Sequence, residues 1–300
     1  MAHARDDLPP RGAAAMQRYR VRHHTTYHYD AEVWLEPHAL RLRPREGHEL
    51  RIEASWLRLS PPATLRWHRD VEDNSVAIAS FSEPARSLTI ESEVLIQQYH
   101  QAPLDFVVDP EALFFPFHYG AEEQLLLAPY RQPVDHDGAL ELWVAGLYAP
   151  GEHLETYALL ERISACIHGT LRYVRREEPG VQTPTRTLCC GSGSCRDFAT
   201  LLMAAARLLG LGARFVSGYV HDPSPPDAGG STHAWAEVYL PGAGWTGFDP
   251  TSGGLAGPDH IAVAVSHRPD AVPPVAGSFR GWARSTMTVG VWVTQVDEQA

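Results

Sequence analysis

From Tyr19 to about His100 the chain alternates apolar and polar positions in short runs. Tyr19, Val21, His23, Thr25, Tyr27 and Tyr29 fall on one face of a first strand, and residues 39–43, 50–59, 75–81 and 87–96 carry the same period of two. Proline, glycine and asparagine punctuate the gaps at 43–47, 60–62, 72–74 and 83–84. Short strands at near-regular spacing with such turns predict an antiparallel β-sandwich over 17–130. Residues 101–150 are mixed and proline-rich, and their aromatic patch at 113–119 is expected to pack between the sandwich and a second domain over 131–300.

The period then lengthens. Leu154, Tyr157, Leu160, Ile163 and Ile167 share a helical face that Gly169 ends, which predicts a helix over 152–169. Residues 171–180 read as a short strand and turn, and 183–188 as a connector. Ser194 is a good N-cap for a second helix, along which Phe198, Leu201, Leu202, Ala205, Leu208 and Leu209 recur at helical spacing. Gly210 and Gly212 stop it, since a left-handed residue costs least without a side chain. A strand over 213–220 and a polar loop over 221–230 follow; the loop's composition fits a mobile segment beside a cleft. Ala234, Ala236, Val238 and Leu240 then alternate with His233, Trp235, Glu237 and Tyr239, and after a turn at 241–244 a further strand ends at Asp249. Pairing of these two strands as a hairpin brings Asp249 towards His233. Residues 260–265 and 285–294 read as two or three more strands of the second domain, completing a sheet. The fold class is α+β, an antiparallel β-sandwich followed by helices on an antiparallel sheet.

Three of these positions carry chemistry together. Cys195 falls in the first turn of a buried helix, where unpaired N–H groups and the positive end of the dipole favour a thiolate. His233 on one strand and Asp249 at the end of the next supply a proton acceptor and a group to orient it. An imidazolium beside a thiol lowers its pKa by several units from about 8.5. The N–H of Cys195 is a natural oxyanion donor; a second donor is not evident from spacing. Asp197, two places further into the helix, favours the dipole rather than the chemistry. A zinc site from Cys189, Cys190, Cys195 and His233 is the weaker reading, because adjacent cysteines point apart and no Cys-x-x-Cys occurs. His23, His24 and His28 have no acidic or cysteine partner at ligand spacing and read as surface or half-buried strand histidines. Cys166, inside the first helix, reads as an inert buried thiol.

Composition narrows the partners. The formal net charge is −11, and no basic stripe stands out to neutralise phosphates, which excludes nucleic acid as the expected partner. All 25 cationic side chains are arginine. The four cysteines cluster in the second half, a poor disulfide framework for 300 residues, so a reducing compartment and the cytoplasm are expected. Residues 1–16 lack the apolar run of a signal peptide and are expected to be a disordered tail. No run reaches the roughly 18 apolar residues of a membrane helix. No cofactor and no metal are expected.

Four stretches resemble the transglutaminase-like superfamily, in particular bacterial proteins with a transglutaminase-like N-terminal β domain. They are GSCRDFA at 193–199 with its helix, ARFVSGYV at 213–220, THAWAEVY at 232–239 and GWTGFDPT at 244–251. Softer echoes are YRVRHHTTYHY at 19–29 and RPDAVPPV at 268–275. The resemblance implies a papain-like core in which Cys195, His233 and Asp249 match the family's triad. It leaves the reaction open among cross-linking enzymes, peptidases, amidases and inactive members. With the three residues intact, the expectation is an enzyme forming a thioester from a peptide or protein amide and most simply hydrolysing it. Protein-glutamine cross-linking and a non-catalytic binding or scaffold module are the alternatives.

Overall fold

The computed structural model describes residues 16–99, 106–133, 138–149, 151–176, 178–222, 230 and 232–296. The tail expected over 1–16 and the loop expected over 221–230 lie almost wholly outside these residues. The chain opens with β1 (Gln17–Leu35), β2 (His38–Leu40), β3 (Leu50–Ser60), β4 (Thr64–Arg69), β5 (Ser75–Ser80) and β6 (Ala85–Gln98). It continues through β7 (Phe114–Phe115), α1 (Ala121–Leu126), α2 (Ala139–Ala145), β8 (Leu154–Glu155), α3 (Thr156–Thr170) and β9 (Arg172–Tyr173). Next come α4 (Pro184–Cys190), β10 (Ser192–Gly193), α5 (Cys195–Leu208), β11 (Ala213–Val220), β12 (His233–Leu240) and β13 (Gly244–Asp249). Last are β14 (Gly254–Leu255), β15 (His260–Ser266), β16 (Val275–Ala276), β17 (Phe279–Arg280) and β18 (Ser285–Gln295).

The alternating N-terminal pattern builds two sheets. One runs β17-β1-β6-β3 with β18 also on β1; the other runs β16-β2-β5-β4. Tyr29, Val33, Leu88 and Ile90 of the first sheet meet Leu40, Ala77 and Ala79 of the second across a sandwich core. Each large side chain fully buried there stabilises the fold by about 2 kcal/mol.

The expectation that the last strands complete the second domain's sheet holds only as far as β15. That strand pairs with β11, but β18 pairs with β1 from Tyr19↔Gln295 to Tyr29↔Ser285, and β16 pairs with β2. The C-terminal strands therefore belong to the sandwich. Periodicity identifies a strand and its buried face; it does not name the neighbour.

The second domain packs α3 and α5 on a five-stranded antiparallel sheet ordered β14-β13-β12-β11-β15. Phe198, Leu201, Leu202 and Ala205 of α5 meet Ala234, Ala236, Val238 and Leu240 of β12 in one core. Phe115 lies in that core as well, with Val108 and Phe117 against it. The Tyr119 hydroxyl donates to the Tyr239 carbonyl at 2.8 Å and accepts from the Gly212 N–H at 2.9 Å. The aromatic patch thus packs inside the second domain rather than between the two, and that domain begins well before residue 130. The sandwich braces the far side of the sheet: Tyr19, Val21, Ile96 and Val291 form one cluster with Tyr219, Ile261 and Val263. No helix among the described residues is long and apolar enough to cross a membrane.

Candidate active site

The start of α5 is fixed by a buried carboxylate. Asp197 accepts from the Ser194 N–H at 2.8 Å and from the Ser194 hydroxyl at 2.7 Å, which closes the first turn onto its cap. It also accepts from the Gln182 N–H at 2.7 Å and from the Arg176 guanidinium at 2.8 and 2.9 Å. Burial penalises its charge, but these donors outweigh that and hold the carboxyl below its ordinary range. Asp197 is therefore a clamp that ties the preceding segment to the helix start. Gly193 leaves room for it, since a Cβ there would lie 2.9 Å from the Asp197 Cβ.

Cys195 follows as the first residue of α5, half-buried, at the end where backbone N–H groups have no intrahelical acceptor. His233 begins β12 and Asp249 ends β13; the antiparallel register Ala236↔Phe248 carries the two to the same end of the sheet. His233 Nε2 donates to Asp249 Oδ2 at 3.0 Å. The Cys195 sulfur lies near enough to His233 to act on its charge, and Asp249 leaves the Nδ1 side of the ring free. Burial works against an imidazolium at His233, but the hydrogen bonds and charges of Asp249 and Cys195 outweigh it and raise its pKa to about 10. Burial also opposes ionisation of Asp249, yet hydrogen bonds from His233 and His260 keep its carboxyl far below the usual carboxylate range. The second oxygen of Asp249 accepts from the Thr251 N–H at 2.9 Å. The structure thus brings together all three residues singled out in the sequence.

Two further residues belong to this cluster. His260, the first residue of β15, places Nε2 3.2 Å from the same Asp249 Oδ2. Tyr173, on β9, lies close enough to the Cys195 sulfur to feel its charge. The parallel pairing Gly193↔Tyr173 sets this approach, and the Tyr173 ring stands edge-on to Phe198 with centroids 6.3 Å apart. Burial first, then the charge of Cys195, raises the Tyr173 pKa, so its proton stays in place. No spacing in the sequence marks either residue; both reach the site through elements remote in the chain. Buried Trp235 seats the imidazoles, with His233 stacked 6.2 Å away and His260 edge-on at 5.1 Å. Gly218 gives the indole its space, since a Cβ would come within 2.7 Å of it.

His233, Asp249 and His260 also form the one potential metal-ligand group among the described residues. Their hydrogen bonds argue against that use. The Gly257 N–H donates to His260 Nδ1 at 3.1 Å, so the ring proton of His260 sits on Nε2, and a protonated nitrogen has no lone pair for a metal. Cys189 and Cys190 are exposed at the end of α4 and do not join the group, which removes the four-ligand zinc reading. Cys166 is half-exposed rather than buried. His23, by contrast, is fully buried, because β11 and β15 cover the sandwich face on which it stands.

A helix bearing a cysteine at its head, packed on an antiparallel sheet that presents a histidine and an aspartate, defines a papain-like α+β core behind a β-sandwich. Residues 19–97 match the bacterial transglutaminase-like N-terminal region, and residues 150–250 match the transglutaminase-like superfamily. The chain belongs to the transglutaminase-like superfamily. It is 29% identical over 279 residues to uncharacterized proteins of Mycobacterium tuberculosis and Mycobacterium bovis, covering 87% of each partner in the comparison. A candidate cysteine protease from Cytophaga hutchinsonii shares the fold with a TM-score of 0.71 at 18% identity, over 95% of this chain and 93% of that one.

Proposed function

We propose that this protein is a cysteine-dependent acyl-transfer enzyme that acts on the amide bonds of peptides or proteins and resolves its thioester with water. The observation that carries this reading is the His233–Asp249 hydrogen bond at 3.0 Å, with the Cys195 sulfur close enough to add to the rise in the His233 pKa. In the proposed cycle the proton rests on His233 and the charge on sulfur. The Cys195 sulfur forms a bond to the amide carbon, and the carbonyl electrons move onto oxygen. The Cys195 N–H at the helix start and the Tyr173 hydroxyl supply donors to that oxyanion. Collapse breaks the carbon–nitrogen bond while His233 gives its proton to the departing amine. Water then loses a proton to His233 and attacks the thioester; the carbon–sulfur bond breaks, the acid leaves and the ion pair is restored. Asp249 keeps the imidazole oriented throughout. All four cysteines are free thiols, in keeping with a reducing compartment such as the cytoplasm.

Intact-protein mass spectrometry tests this with a library of glutaminyl and peptidyl amides. The expected result is an acyl adduct on Cys195 with release of the amine, discharged as the free acid in water and absent in Cys195→Ala. Discharge only onto an added amine would replace hydrolysis by cross-linking. No adduct on Cys195 with any member of the library would contradict acyl transfer and favour a binding module.

A further inference from the structure

One oxygen, Asp249 Oδ2, accepts from two imidazoles: His233 Nε2 at 3.0 Å and His260 Nε2 at 3.2 Å. The second imidazole is locked in one form. A backbone N–H only donates, so the 3.1 Å contact from Gly257 leaves a lone pair on His260 Nδ1 and places the single ring proton on Nε2. The ring is nearly perpendicular to Trp235, at 81°, and its side chain is only 12% exposed. The titratable groups that face it are His233 from β12 and Asp249 from β13. Asp259, its neighbour in sequence, is engaged instead by His221 and Tyr19. His260 is therefore a neutral, pre-aimed donor to the oxygen that serves His233.

We propose that His260 is a positioning residue that moderates Asp249: its N–H takes up part of the charge on Oδ2, so that the carboxylate holds the His233 imidazolium without trapping its proton. The inference rests on the acyl-transfer reading above. An imidazole bound to an unshared buried carboxylate keeps its proton to higher pH, and it is then a weaker acid towards a leaving amine. Sharing the oxygen between two donors divides that attraction.

The test is peptide-resolved alkylation of Cys195 by iodoacetamide from pH 5 to 11, on the full chain. In the wild type the upper inflection of the profile, where His233 gives up its proton, falls near pH 10. In His260→Ala it moves up by about one pH unit, the equivalent of about a tenfold change from one hydrogen bond to a charged group. His260→Gln places an amide N–H where Nε2 stands and returns the inflection to the wild-type position. Should His260→Ala fail to fold, His260→Phe keeps the ring against Trp235 without the donor and gives the same upward shift. A folded Ala or Phe variant with an unmoved inflection overturns the proposal, and so does a Gln variant that fails to restore it. A wild-type Cys195 that labels no faster than Cys166 at pH 6 defeats the underlying acyl-transfer reading, and this inference with it. Fast wild-type labelling with an unmoved inflection defeats this inference alone.

Discussion

His233 Nε2 meets Asp249 Oδ2 at 3.0 Å, and the pair gives the fold a pH signature on both sides of neutrality. The His233 pKa is raised from 6.5 to about 10 in the folded state. Its contribution to stability is therefore complete below pH 6.5 and is lost as pH climbs through about 10. Asp249 has the opposite sign: lowered in the folded state, it contributes above its unfolded pKa and loses that contribution as pH falls below it. Thermal melts of wild type and His233→Ala from pH 6 to 10 measure the first effect. The difference between the two proteins should shrink steadily across this window; a constant difference would contradict the pairing.

Tyr173 lies beside the sulfur without being part of the imidazole–carboxylate pair. Tyr173→Phe should therefore lower amide turnover by about 100-fold, the usual loss on removing one oxyanion donor. It should leave iodoacetamide alkylation of Cys195 within a few-fold of wild type, because alkylation forms no oxyanion. Equal losses in both assays would assign the hydroxyl to the nucleophile instead.

Removing Asp197 leaves the Arg176 guanidinium, itself mostly buried, with only the exposed Glu178 at 3.6 Å for a partner, and frees the Ser194 cap. Asp197→Ala is expected to cost about 3 kcal/mol in urea unfolding, the range for breaking a buried ion pair. A change below 1 kcal/mol, within the range of exposed pairs, would show that the clamp contributes little to stability.

His23 is the acid-sensitive point between the domains. It is buried, with Nε2 2.8 Å from the Thr25 hydroxyl and Nδ1 3.4 Å from the Tyr219 hydroxyl of the second domain. Burial, helped by the charge of His24, lowers its pKa from 6.5 to about 4. The unfolded chain takes up that proton first, so stability should fall as pH drops from 6.5 towards 4, by on the order of 3 kcal/mol. Urea titrations at pH 7 and pH 4.5 should show this loss in wild type and a smaller one in His23→Gln.

Residues whose roles follow from local structure were readable from the sequence. The Ser194 cap and the apolar period behind it locate α5, and the glycines after Leu209 end it; strand alternation places His233 and Asp249 on paired strands. The stretch 183–188, which reads as a connector, lies in α4 and its N-cap, and the signals for that helix are equally local. Thr183 caps it by accepting from the Arg186 N–H at 3.2 Å, Pro184 stands at the first helical position, and Gly191 closes it at φ 59°. Other features depend on partners distant in the chain. Nothing in the alternation of 285–294 says that β18 joins β1, and nothing near His260 says that its imidazole reaches Asp249. The depth at which His23 lies is set by β11 and β15, both far along the chain from it.

The most direct measurement is the rate of iodoacetamide alkylation of each cysteine at pH 6, resolved by peptide mass spectrometry. Half-exposed Cys166 serves as the internal standard, because it has similar access and no imidazole partner. Cys195 should label at least tenfold faster than Cys166 in the wild type and fall to its level in His233→Ala. Equal rates for Cys195 and Cys166 in the wild type would contradict a sulfur activated by His233.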